Sequence, residues 1–134
     1  MSYKTAVGKR GEELAVEYLE KNGYTVVARN LHVSHDELDI IAEDEKYIVF
    51  AEVKTRAQTP SNKRFGRPAS AVDYKKKQKL LRAAAEYIRR EKPSKAPRID
   101  VIEVYLPPIH ADTPIDVSRL IAADIKHIRN AVHK

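Results

Sequence analysis

The chain has 134 residues, no cysteine and a formal net charge of +6. This length fits one domain, and the lack of cysteine excludes disulfides and thiolate metal sites. The absence of cysteine also fits a cytoplasmic protein, which is the expected location. No apolar run approaches the ~18 residues of a membrane-spanning helix, and the first residues lack the apolar stretch of a secretory signal.

Hydrophobic spacing predicts the first half of the chain as one helix followed by three strands. The helix is predicted over residues 6–22, where apolar residues recur at intervals of three and four, and Asn22-Gly23 marks its end. The strands are predicted over residues 24–31, 37–42 and 46–54, the last two joined by an acidic turn. Consecutive strands of this kind indicate an antiparallel meander.

The second half begins with a polar loop predicted over residues 55–70. A helix over 71–91 and a strand over 98–106 follow, and residues 119–132 fit either a helix or a strand. The order α-β-β-β-α-β plus a terminal element predicts an α/β domain built around a small mixed sheet.

Positive charge is concentrated in one part of the chain. Residues 54–92 contain 13 Lys or Arg and 3 Asp or Glu, a balance of +10, whereas the remainder has a balance of −4. Such an asymmetry indicates a basic patch, with nucleic acid as the first partner to expect and an anionic membrane surface as the second. A solvated helix face explains the charge equally well.

The third strand begins apolar and ends with charged residues. Glu52 and Lys54 lie two positions apart and therefore share a face, and Asp39 interrupts the apolar second strand. If the hairpin turn is centred between residues 45 and 46, Asp39 lies opposite Glu52. Two adjacent carboxylates and a lysine are suited to binding a divalent cation and cleaving a phosphodiester. The alternative is a salt bridge around Lys54, which is the favoured interpretation when the residue spacing alone is considered.

Three further positions, one on the second helix and two on the first, add to this pattern. Gln78 is the polar residue in the stripe Ala71, Tyr74, Gln78, Leu81, Ala85 and Ile88 of the second helix, so it is expected to point toward the sheet. An amide bonded to the backbone is the alternative. Glu12 and Glu13 lie near the start of the first helix. Their negative charge there either interacts favourably with the helix dipole or provides a third acid near the divalent cation.

Other charged residues have simpler interpretations. Arg98 and Asp100 share a face of the last predicted strand and are expected to form a structural ion pair. None of the five histidines is predicted to be a metal ligand, because no pair has the spacing of a zinc helix motif. The sequence contains no Walker loop and no dinucleotide fingerprint.

Taken together, these motifs resemble the YraN family of small bacterial endonuclease-like proteins. The matching stretches, in order, are GKRGEELA (8–15), ELDIIA (37–42), VFAEVKTR (49–56), FGRPASAV (65–72), KKKQKLLRAAAEYI (75–88), RIDVIEV (98–104) and HIRNAV (127–132). That family in turn resembles the PD-(D/E)xK nuclease superfamily and, within it, the archaeal Holliday junction resolvases. The resemblance implies a single-domain, restriction-endonuclease-like αβββαβ core with a central mixed sheet flanked by helices.

The resemblance also implies roles for individual residues. Asp39 matches the metal-binding aspartate of the superfamily, and Glu52 and Lys54 match its (D/E)xK pair. Glu12 matches the helical glutamate of junction resolvases and is preferred over Glu13, and Gln78 matches a polar residue of the following helix.

The sequence departs from the family pattern in four places. Asp36 replaces a glycine before the second strand, Ile99 and Val132 replace phenylalanines, and residues 107–124 form a longer segment than expected.

The leading hypothesis is a metal-dependent nucleic-acid phosphodiesterase that recognises DNA structure, including branched or single-stranded DNA. Mg²⁺ or Mn²⁺ is expected between Asp39 and Glu52, with Glu12 nearby and the Val53 carbonyl as a further ligand. The residues expected to contact nucleic acid are Arg56, Lys63, Arg64, Arg67, Lys75, Lys76, Lys79 and Arg82. A binding module without turnover and a protein-interaction scaffold are the alternatives, and a homodimer is compatible with all three.

Overall fold

A computed structural model describes residues 3–57, 74–108 and 116–133. The elements in chain order are α1 (Tyr3–Lys21), β1 (Thr25–Val33), β2 (Asp36–Glu43), β3 (Tyr47–Ala57), α2 (Tyr74–Glu91), β4 (Ala96–Leu106), a 3₁₀ turn (Val117–Arg119) and β5 (Asp124–Val132). The predicted α-β-β-β-α-β order is therefore confirmed. Neither of these two helices is long and apolar enough to cross a membrane.

The five strands form one mixed sheet in the order β1-β2-β3-β4-β5. Neighbouring strands are antiparallel except for β3 and β4, which run parallel. Parallel neighbours need a crossover connection, and the chain segment that contains α2 supplies it. The sheet thus confirms the predicted α/β class.

The two helices cover opposite faces of the sheet. Strand alternation directs Val49 and Ala51 toward α1, and Ile48 and Phe50 toward α2. The same alternation places Glu52 and Lys54 on the α2 face, at the end of the strand where the apolar core stops. The fold therefore delivers these two charges to the boundary between the core and solvent.

The face of α2 that packs on the sheet differs from the prediction. Leu80, Ala83 and Ala84 are buried against the sheet, whereas Tyr74 and Gln78 are exposed. The expected inward orientation of Gln78 is wrong. Apolar residues occur on two adjacent stripes of this helix, and the stripe with the small Ala83 and Ala84 lets the helix approach the sheet more closely.

Strand pairing also corrects two boundaries. β3 continues to Ala57, three residues into the predicted loop, because its parallel pairing with β4 extends to Leu106. Of the two alternatives for residues 119–132, the strand is observed: β5 pairs with β4 from Asp124 to Val132. Residues 58–73 and 109–115 lie outside the described residues, and with them Lys63, Arg64 and Arg67.

Candidate metal and nucleic-acid site

The site is built by the hairpin of β2 and β3. Its observed pairs include Ile40 with Ala51 and Ile41 with Phe50, which is the predicted register. The observed pairs end at Ile40 and Ala51, and the same register extended by one residue would set Asp39 opposite Glu52. Just beyond these pairs, the Asp39 carboxylate accepts a hydrogen bond from the Val53 backbone N–H at 2.9 Å, which ties the two strands together.

The two carboxyl groups interact directly. Burial, and then the neighbouring charge of Glu52, raise the pKa of Asp39 to about 8. Glu52 is itself only 4% exposed. At neutral pH the Asp39 carboxyl group therefore holds its proton, because burial and the nearby charge of Glu52 both disfavour its ionised form.

Two lysines approach Glu52 from different elements. The Lys54 ammonium lies 3.8 Å from the Glu52 Oε2 atom, along β3. The Lys76 ammonium, which comes from the first turn of α2, lies 2.7 Å from the same oxygen. The ion pair that the alternative interpretation expects is thus present, and Lys76 forms its shorter contact. Burial, and then Lys76, lower the pKa of Lys54.

Glu12 approaches this cluster from α1. Gly11 lies against Thr55 of β3 so closely that an added Cβ atom would be 1.9 Å from the Thr55 hydroxyl oxygen. This close crossing brings the next residue near the paired acids: burial raises the pKa of Glu12, and Glu52 contributes to the same direction. Glu13 instead forms an ion pair with Arg10 at 3.1 Å.

An open cleft of about 370 Å³ lies beside Glu52. Its lining residues are Asp36, Glu37, Glu52, Lys75, Lys76, Lys79 and Leu80. Three of the predicted nucleic-acid contacts therefore line one cleft, and one of them also touches the carboxylate pair. No group of three or more His, Asp or Glu side chains within the described ranges is placed to hold a metal ion.

Two other predicted phosphate contacts are engaged by acids. Arg82 donates two hydrogen bonds to Asp36, at 3.0 and 3.1 Å, so the residue that departs from the family pattern holds this guanidinium. Arg56 lies 3.6 Å from the Oε2 atom of Glu103, a carboxylate that is fully buried on β4. Glu103 was not singled out by the sequence, in which it reads as one polar position of an alternating strand.

A separate polar cluster lies on the α1 face of the sheet. The predicted ion pair of Arg98 and Asp100 is confirmed, with two hydrogen bonds of 2.9 Å. His127 of β5 joins it through a 2.7 Å contact with Asp100 and a 3.0 Å contact with the Tyr18 hydroxyl. The sequence did not reveal this role of His127, which depends on β5 pairing beside β4.

The fold and the site together define a class: a small α/β protein with paired carboxylates and lysines at the end of a sheet hairpin. The chain belongs to the family described as "Uncharacterised protein family UPF0102", whose model matches residues 11–104. The resemblance to the YraN family is thereby confirmed, because the two names denote one family.

Curated relatives agree along most of the chain. A UPF0102 protein of Caldanaerobacter subterraneus is 39% identical over 129 residues, which cover 96% of this chain and 95% of the relative. A UPF0102 protein of Caldicellulosiruptor saccharolyticus is 41% identical over 77% of this chain and 85% of its own length. One from Clostridioides difficile is 42% identical over 74% of this chain and 84% of its own length.

Proposed function

We propose that this protein is a metal-dependent nucleic-acid phosphodiesterase, with DNA of non-duplex or branched structure as its substrate class. The observation that carries the proposal is the contact between the Asp39 and Glu52 carboxyl groups beside Lys54. A buried pair of acids is costly unless a cation is bound between them. The cost is visible in the pKa of about 8 for Asp39.

The donor set fits Mg²⁺ or Mn²⁺. These ions prefer oxygen ligands, and Mg²⁺ is commonly held by only one or two carboxylates while it keeps several waters and binds substrate phosphate. Asp39 and Glu52 would hold the ion. The Val53 carbonyl is a further candidate, because the N–H of this strand residue already points toward Asp39. Once bound, the ion would supply an activated water and stabilise charge on the phosphate.

The remaining residues have roles that follow from their positions. Lys54 would orient the attacking water or stabilise the negative charge that develops on the phosphate, and its lowered pKa is suited to proton exchange. Glu12 would add negative potential at the metal from α1. Gln78 lies on the exposed side of α2, so it can take part in this reaction only if the bound nucleic acid contacts it.

Binding of the nucleic acid would rest on the cleft. Lys75, Lys76 and Lys79 line it next to Glu52, so phosphates bound there would lie close to the metal. Phosphate contacts of this kind give affinity and position but carry no sequence information. This supports a preference for structure over sequence, with an affinity that falls steeply as salt rises.

The test is hydrolysis of branched, single-stranded and duplex DNA in the presence of Mn²⁺. Wild type should cleave the branched or the single-stranded DNA faster than the duplex, and Lys54→Ala and Glu52→Gln should reduce the rate at least about a hundredfold, as expected for loss of a charge-stabilising group or a metal ligand. Arg89→Ala, a substitution on the far end of α2, is the control and should leave the rate unchanged. Equal cleavage by wild type and Lys54→Ala would remove Lys54 from the mechanism.

A nucleic-acid-binding module without turnover is the second candidate. It is favoured by the two lysines that neutralise Glu52, since a carboxylate paired in this way needs no metal. This candidate predicts salt-dependent DNA binding that persists in EDTA and survives Asp39→Asn. Cleavage that requires Mn²⁺ would exclude it.

A further inference from the structure

The contact between Lys76 and Glu52 links the cleft to the carboxylate pair. The Lys76 ammonium lies 2.7 Å from Glu52 Oε2, which is a full hydrogen-bonded ion pair, whereas Lys54 is 3.8 Å from the same atom. The Glu52 side chain is 5% exposed and that of Lys76 is 45% exposed. Lys76 therefore closes the solvent side of a carboxylate that is otherwise buried.

The two lysines are held differently. Lys54 lies on β3, in the sheet that also carries Glu52, and its side chain is 25% exposed. Lys76 lies in the first turn of α2, and its helix neighbours Lys75 and Lys79 also line the cleft. A long, half-exposed side chain on a helix can change rotamer and leave Glu52 for the cleft without disturbing the sheet.

The Glu52 oxygen cannot serve both cations. An oxygen ligand of Mg²⁺ lies about 2.0–2.1 Å from the ion, and a second cation bonded to that oxygen repels it at close range. Metal binding through Oε2 of Glu52 therefore requires Lys76 to move away. The phosphate groups of a nucleic acid in the cleft are the acceptors that would receive it.

We propose that Lys76 sets the cation affinity of this site: its ammonium competes with the divalent metal for Glu52 and is released when it pairs with a nucleic-acid phosphate. This inference rests on the proposed function, because it takes the metal and the nucleic acid from there. Metal and nucleic acid then bind with positive coupling, and by linkage each raises the affinity of the other by the same factor.

The experiment measures Mn²⁺ affinity of the full chain by electron paramagnetic resonance of the free ion. Lys76→Met, which keeps most of the length of the side chain without its charge, should bind Mn²⁺ at least about tenfold more tightly than wild type. Lys79→Met removes the same charge from the same cleft and should change the affinity less than about threefold, since its effect is only long-range. Circular dichroism melting checks that both variants are folded.

The outcomes separate this inference from the proposed function. Mn²⁺ binding to wild type with equal changes in Lys76→Met and Lys79→Met would overturn the role of Lys76 and leave the metal site standing. Tight binding by Lys76→Met alone would support the inference. Absence of Mn²⁺ binding in wild type and Lys76→Met would overturn both.

A second arm tests the coupling with nucleic acid. The Kd of a fluorescent branched DNA is measured by anisotropy with and without Ca²⁺, a divalent ion that takes oxygen ligands and is used here to avoid hydrolysis. In wild type the metal should tighten DNA binding by a larger factor than in Lys76→Met. An equal factor in the two proteins would contradict the exchange of Lys76 between Glu52 and phosphate.

Discussion

The strongest consequence of the carboxylate pair is an inverted dependence of stability on pH. The folded-state pKa of Asp39 is about 8, against an ordinary value of 3.8. Between these two values the folded chain holds a proton that the unfolded chain has released, so rising pH favours unfolding. Each pKa unit corresponds to about 1.4 kcal/mol, so this group can lower the free energy of unfolding by about 5 kcal/mol at most between pH 4 and pH 8.

Asp39→Asn should remove this loss of stability at high pH. The amide oxygen can still accept the Val53 N–H, and an uncharged side chain next to Glu52 does not need to bind a proton. In urea unfolding with EDTA, wild type and Asp39→Asn should be similar near pH 5, and the variant should be more stable by at least about 2 kcal/mol at pH 9.

Asp44, in the turn of the same hairpin, is the matched control, because its effect on stability should depend on pH in the opposite direction. Its carboxylate accepts backbone N–H groups of Lys46 and Tyr47 at 2.8 and 2.7 Å, and the bond from Tyr47 is the largest cause of its lowered pKa. Its contribution is present above its ordinary pKa and is lost as pH falls through the lower folded value. Asp44→Asn should therefore cost about 1 kcal/mol at pH 7 and less in acid. Parallel pH profiles of stability for wild type and Asp39→Asn from pH 5 to pH 9 would show that folded Asp39 does not retain its proton in this range.

Two further predictions test the packing that positions the site. Gly11→Ala should destabilise the fold by about 1–3 kcal/mol, because the added Cβ atom would overlap Thr55, whereas Gly8→Ala meets nothing within 4 Å and should stabilise α1 by up to about 1 kcal/mol. Leu80→Ala should cost about 2–5 kcal/mol and Gln78→Ala less than about 0.5 kcal/mol, as measured by urea unfolding, because only the first side chain is buried. Similar costs for both α2 variants would contradict the observed face of this helix.

The hairpin of β2 and β3 could be predicted in detail because its pairing depends on residues that are close together in the sequence. The acidic turn and the two flanking apolar runs determine one register, and a slip by one residue would turn every side chain to the wrong face. That register alone places Asp39 opposite Glu52. The α/β class followed from the order of the periodic segments in the same way.

The features that were missed depend on contacts between distant segments. The sequence did not determine which face of α2 packs on the sheet, because Leu80 and Leu81 belong to two adjacent apolar faces. Only the surface of the sheet selects between these two faces. The partnership of Asp100 with His127 requires β5, whose strand character is decided by the exposed edge of β4. In the sequence, Lys76 could not be distinguished from the neighbouring lysines. Its contact with Glu52 follows from the observed packing face of α2.

The proposed metal site is tested most directly by the position of Mn²⁺ in crystals of the wild-type protein, located by its anomalous scattering. We expect one strong peak within about 2.0–2.6 Å of carboxylate oxygens of both Asp39 and Glu52, with the Lys76 ammonium displaced from Glu52. A site without anomalous signal at high Mn²⁺ concentration, with the ion pair of Lys76 and Glu52 intact, would contradict it.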